Sequence, residues 1–183
     1  MKTLALTLAG VALACGTALY AEEPMKPSGV AQALMSDSPE AFFETAASAN
    51  MFEIESSKLA LERSKDPGVR KFAQMMVSDH TEAGKKVSAL AATKSVTLPT
   101  AMLKRHQMML DGLKDEKAGK DFDDEYRLKM VVSHKEAVSL FDESARESKD
   151  PDIKKLAGEL LPKLQMHGAE AQKLRDAAKD AAH

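Results

Sequence analysis

The sequence predicts an all-α fold, one antiparallel bundle of four long helices with a short extra helix between the second and third. Three observations predict it: helix-forming composition, apolar strips at helical spacing, and a helix-start motif that occurs twice. The 183 residues carry no Trp and two Tyr, and Ala, Leu, Lys, Glu and Met dominate. That length suffices to bury one core without staples. Net charge is −2 with acids and bases interspersed, so no basic block is present to bind nucleic acid or an anionic membrane.

The chain opens Met1-Lys2-Thr3, then an apolar run from Leu4 to Ala14, then Gly16-Thr17-Ala18-Leu19-Tyr20-Ala21. A positive start, a short apolar stretch and small residues at its end form a secretory signal over residues 1–21, cleaved after Ala18 or after Ala21. The run is too short for a membrane span. The single cysteine, Cys15, lies inside it. A lipid anchor on Cys15 is the alternative, but Leu13 sits one place later than such a site prefers. Removal of the signal leaves no thiol, hence no disulfide and no cysteine chemistry.

Residues 22–37, with Pro24, Pro27 and Gly29, read as a flexible leader. The bundle spans 38–180. Ser38-Pro39-Glu40 joins a capping hydroxyl, a proline at the first helical position and an early acid, and starts a helix to about Arg63. Asp66-Pro67 starts the second, to about Thr93. Asp121, with Asp124 three residues on, starts the third, to about Ser148. Asp150-Pro151 starts the fourth, to about Lys179. Between the second and third, Met102, His106, Met109 and Leu113 recur at spacings of four, three and four after Pro99. They predict a short amphipathic helix on the outside or end of the bundle.

Ser64-Lys65-Asp66-Pro67 recurs as Ser148-Lys149-Asp150-Pro151, and the five residues from Val69 to Ala73 match those from Ile153 to Ala157. Two helical hairpins with one turn chemistry follow. Each helix also carries a strip that suits a bundle core. The fourth shows Ile153, Ala157, Leu160, Leu164, His167, Ala171, Leu174 and Ala178. The second shows Ala73, Met76, His80, Ala83, Val87 and Leu90. The third shows Met130, His134, Ala137, Phe141 and Ser144. The first offers Ala46, Asn50, Glu53, Ser57 and Ala60 beside a more apolar line of Ala47, Ile54 and Leu61.

Every helix thus places one metal-competent residue on its strip: Glu53, His80, His134 and His167. Glu53 and His80 are equidistant from the first Asp-Pro turn, and His134 and His167 from the second. Residues equidistant from a hairpin turn face each other to within about a turn, ~5 Å. All four lie near mid-helix and share one layer. Three neutral imidazoles and a carboxylate suit one divalent ion: Zn, Fe, Cu or Mn. Pro162, one turn before His167, frees the Gly158 carbonyl and is placed to widen the seam there. The alternative is a metal-free network of buried hydrogen bonds. The eleven Met residues raise copper, yet Met75, Met76, Met102, Met108, Met109 and Met130 fall at helical spacings and read as apolar filler. Asp79, Glu136 and Glu170 adjoin the layer and read as surface charge, with support of the ligands as the other reading. No phosphate loop, nucleophile elbow or Ser/His/Asp pattern occurs.

Four blocks resemble a known family: Phe52 to Ala60 (FEIESSKLA), Phe72 to His80 (FAQMMVSDH), Phe122 to Tyr126 (FDDEY) and Leu161 to His167 (LPKLQMH). In this order they are similar to domain of unknown function 4142, exported bacterial proteins often labelled outer membrane protein. The resemblance covers about residues 38–175 and implies a ferritin-like bundle in the periplasm or cell envelope, with no established reaction. The chain departs from true ferritins: it lacks the two Glu-x-x-His pairs of a diiron centre, which favours a single ion. It also lacks any strand pattern for a barrel. The expectation is therefore a periplasmic metal-binding bundle, of service under stress, leaning away from an enzyme. The alternatives are an envelope structural or interaction protein with a protein partner, and a metal-dependent oxidase or peroxide-handling enzyme.

Overall fold

The computed structural model describes residues 38–180. The signal segment with Cys15, the leader 22–37 and the last three residues lie outside the described residues. The described chain folds as five helices: α1 Pro39–Arg63, α2 Pro67–Thr93, α3 Lys104–Asp115, α4 Lys120–Glu147 and α5 Pro151–Asp180.

The helix starts follow from local chemistry. Ser38 Oγ accepts from the Ala41 N–H at 3.2 Å, with Pro39 at the first helical position. The two hairpin turns are built alike. The Ser64 hydroxyl accepts from the Asp66 N–H at 3.1 Å, and the Asp66 carboxylate from the Val69 N–H at 2.9 Å. The Ser148 hydroxyl accepts from the Asp150 N–H at 3.3 Å, and the Asp150 carboxylate from the Ile153 N–H at 3.3 Å.

The start of α4 differs from expectation. Its cap is Gly119, not Asp121. Gly119 adopts φ 108° and ψ −143°, a region that side chains with a Cβ avoid. The chain turns there before Asp121, which falls inside the first helical turn, where its charge suits the positive helix end.

Each long helix packs on two others: α1 on α2 and α4, α5 on α4 and α2. Ion pairs mark the two ends. Lys94, just past α2, reaches Asp150 at 2.9 Å and Asp152 at 2.7 Å, at the start of α5. Arg127, early in α4, reaches Asp66 at the start of α2, at 2.9 Å. Neighbouring helices therefore run antiparallel. The crossover carries α3 back along the outside of α1 and α4. Arg63 ties its far end down by donating to the Lys114 carbonyl at 2.7 Å.

The core is two apolar clusters. One, near the Asp150 turn, holds Phe42, Phe43, Phe141, Ile153 and Leu160. The other, near the Asp66 turn, holds Phe52, Phe72, Met76, Phe122 and Tyr126. On α1 the more polar of the two expected lines faces inward: Ala46, Glu53, Ser57 and Ala60 are buried, as is Ser56 beside them, while Ala47, Ile54 and Leu61 are only half-buried. The serines tolerate burial because each has a partner. Ser56 donates to the Phe52 carbonyl at 2.6 Å, and Ser57 meets the Tyr126 hydroxyl at 2.9 Å. α5 runs as one helix across Pro162. Among the described residues no helix is long and apolar enough to cross a membrane.

A Cβ at Gly119 would meet no neighbour within 4 Å, so its replacement isolates the backbone cost. Gly119→Ala is expected to lower stability by about 1–3 kcal/mol in denaturant unfolding. An unchanged midpoint would show that the turn relaxes freely.

Candidate metal centre

Between the two apolar clusters lies a polar layer. Glu53, His134 and His167 are each 1% exposed and His80 4%. The three imidazoles form a nearly equilateral triangle with ring centroids 5.4 to 5.6 Å apart. Each offers one ring nitrogen, and the three nitrogens lie within 4.8 Å of one another.

The hydrogen bonds distinguish the two nitrogens of each ring. His80 Nδ1 donates to the Asn50 side-chain carbonyl at 3.2 Å. His134 Nδ1 donates to the Met130 carbonyl at 2.8 Å. His167 Nε2 donates to the Asp79 carboxylate at 2.9 Å. Each partner is an acceptor, so in the neutral ring the proton sits on the bonded nitrogen and the other carries a lone pair. Those other atoms, His80 Nε2, His134 Nε2 and His167 Nδ1, are buried without a hydrogen-bond partner. Three lone pairs thus converge from three helices, each on a ring held from behind by an oxygen. Metal-binding histidines are commonly oriented in this way.

Glu53 stands beside the trio. Its carboxylate lies 3.4 Å from His134 Nδ1, the hydrogen-bonded nitrogen of that ring. It accepts a hydrogen bond from the Ser133 hydroxyl, and its other oxygen, Oε2, is buried and unpartnered. The hairpin count paired Glu53 with His80. Instead Glu53 reaches across to α4, and Asn50, one turn earlier on α1, takes His80. Sequence reading placed Asn50 on the inward strip and gave it no role. Its amide passes α2 at Gly84, where a Cβ would stand 2.7 Å from Asn50 Nδ2. The glycine is what lets the amide reach the ring.

Asp79 is not simple surface charge. It also accepts from Lys163 at 3.0 Å. Burial disfavours its carboxylate, but the bonds from Lys163 and His167 outweigh this and hold its pKa below the usual range. Burial keeps His80 neutral well below the ordinary histidine pKa, with His134 and His167 adding to the effect. His167 is lowered by burial too, against the pull of Asp79. Burial pushes the Glu53 carboxyl up, opposed by His134, Ser133 and His106.

His106, read from sequence as part of the α3 stripe, is 1% exposed. Its Nδ1 meets Ser48 Oγ at 2.6 Å and its Nε2 lies 3.4 Å from Glu136. Both nitrogens are engaged, so it fastens α3 to α1 and α4 and is no ligand. Glu136, the second expected surface acid, is the outer end of that clasp. Glu170 does lie at the surface, beside Lys173.

The family model for the domain of unknown function DUF4142 matches residues 24–174. The chain belongs to this family. No curated protein sequence matches it. Among solved structures, "CopM in the Cu(II)-bound form" is similar at 19% identity, with a TM-score of 0.63, over 75% of this chain and 95% of that one. "CopM in the Cu(I)-bound form" is similar at 18% identity and TM-score 0.63, over 81% and 99% of the two chains. "CopM in the Ag-bound form" matches at 19% identity and TM-score 0.60, over 77% and 95%. At these identities the likeness is one of fold, and it agrees with the helical bundle read from the sequence.

The pKa directions fix the pH dependence of the metal-free protein. Unfolded histidine takes up a proton below about pH 6.5, while folded His80 and His167 stay neutral further down. The unfolded state then binds more protons, so this contribution to stability is lost as pH falls. Glu53 has the opposite sign: its folded carboxyl keeps a proton that the unfolded one releases above about 4.5. Denaturant midpoints are expected to drop from about pH 7 to about pH 5, less steeply in His80→Gln and more steeply in Glu53→Gln. A flat profile unaltered by either substitution would contradict these assignments.

Proposed function

We propose that this is an exported bundle that binds a single metal ion through His80 Nε2, His134 Nε2 and His167 Nδ1, and holds or buffers it in the periplasm or cell envelope. The observation that carries the reading is the set of three converging, unpartnered nitrogens. With neither an ion nor a bound water, all three nitrogens and Glu53 Oε2 stay buried and unbonded, at about 1–3 kcal/mol for each. A metal ion answers all three nitrogens at once. Nitrogens bound to one ion at about 2.0–2.1 Å lie about 3.3–3.6 Å apart, so modest inward rotation of the rings closes the triangle.

Each ligand then has a partner that orients it: Asn50 for His80, the Met130 carbonyl for His134, Asp79 for His167. Glu53 adds negative charge beside His134 without joining the ligand trio, which leaves three protein ligands and a vacant fourth position. Neutral imidazole suits copper and zinc alike. The solved structures of similar fold that hold Cu(I), Cu(II) or Ag make copper the first ion to test.

Elemental analysis and calorimetric titration of the purified protein check the reading. Wild type is expected to bind one ion and His134→Ala none. Asp79→Asn and Asn50→Ala are expected to weaken binding about 10–100-fold by freeing the rings they hold. Gly84→Ala is expected to do the same by displacing Asn50, although alanine favours the helix itself. A wild-type protein that takes up no copper, zinc, iron or manganese would sink the proposal.

A further inference from the structure

The two hairpins relate at an offset of 84 residues, and Asp79 and Lys163, separated by that offset, touch each other at 3.0 Å. Equivalent residues of two related halves meet where the axis relating the halves passes. The cores obey the same relation. Val69, Phe72 and Met76 in one apolar cluster correspond to Ile153, Leu156 and Leu160 in the other.

The same offset carries the polar layer onto something informative. Glu53, His80, His134 and His167 correspond to Ala137, Leu164, Asn50 and Ala83. All four of these line one cavity of about 30 Å³, and its remaining wall includes Glu53, His80 and His167 themselves. On one side of the pseudo-axis the mid-section is filled by a carboxylate and imidazoles drawn from both hairpins. On the other side, two alanines and a leucine leave the matching space open, and Asn50 is committed to His80. The cavity is the ligand set's counterpart with the ligands removed. A volume of this size holds about two water-sized molecules.

We propose that this chamber is the binding site for a small exogenous ligand of the bound ion, an anion or neutral molecule of two or three non-hydrogen atoms. The inference rests on the metal reading above, which leaves the fourth position vacant. The inner atom of such a ligand sits on the ion between His80 and His167. Its outer atoms lie against Ala83, Ala137 and Leu164. Glu53 Oε2, buried with no partner, is a polar atom on hand to meet it, and Asp79 and Lys163 also line the space. Its apolar side of Val87, Phe141 and Leu160 disfavours bulkier or strongly hydrated ligands.

Azide is a suitable probe. It is titrated into the copper(II)-loaded protein while its charge-transfer absorption is followed, in wild type and in two chamber-filling variants, Ala83→Leu and Ala137→Val. Wild type is expected to show a saturable azide band. Both variants are expected to retain copper yet bind azide roughly tenfold or more weakly, because the chamber is overpacked. Ala137→Val adds little bulk and covers the case in which Ala83→Leu does not fold. Copper uptake with no azide band, or with one equally strong in the variants, overturns this proposal and leaves the metal reading standing. Absence of copper uptake in wild type overturns both.

Discussion

Three imidazole rings, buried between two apolar clusters, each give one nitrogen to an oxygen behind them and turn the other toward a common point. The rest of the structure depends on that imbalance. Buried polar atoms without partners are costly. The bundle spends an asparagine, a backbone carbonyl and an aspartate holding rings in the orientation that leaves them so. Gly84 gives up helix propensity to let the asparagine pass, and the Asp79–Lys163 pair covers the outer side of the layer. The apolar clusters pack on either side of the layer.

The fold was legible because each helix announces itself with local chemistry. Ser38-Pro39, Asp66-Pro67 and Asp150-Pro151 combine a capping side chain with a proline that needs no amide partner. They behave in the structure as they read in the sequence. The start of α4 was harder, because Asp121 looks like a cap. The chain there is directed by Gly119, whose backbone conformation has no side-chain signature. On α1 the more polar of two strips faces the core, since Ser57 and Glu53 find internal partners in Tyr126 and Ser133 that hydropathy cannot show.

The layer itself was legible by counting. Glu53, His80, His134 and His167 lie at matched distances from their turns, and counting fixes height along a bundle to about one turn. It does not fix direction around the helix axis. For that reason the count could not show that Glu53 would turn to Ser133 on α4, or that Asn50 would take its place at His80. Nor could it choose between the two nitrogens of a ring, because that choice lies with whichever acceptor packs behind. Asp79 read as surface charge because its role depends on His167, which lies on a different helix.

The bundle's pseudo-symmetry adds a further view of the layer. One half of the mid-section is polar and the other is open, and the opening adjoins the point on which the nitrogens converge. On the proposed reading, the three nitrogens and the chamber beside them form one continuous arrangement. Its central element is the tautomeric state of the three rings. Long-range proton–nitrogen NMR of the histidines, before and after addition of zinc(II), reads it most directly. The account requires neutral rings protonated on Nδ1 of His80 and His134 and on Nε2 of His167. It also requires that zinc shift His80 Nε2, His134 Nε2 and His167 Nδ1 together. Mixed tautomers, or zinc shifts that miss any of these three nitrogens, would contradict it.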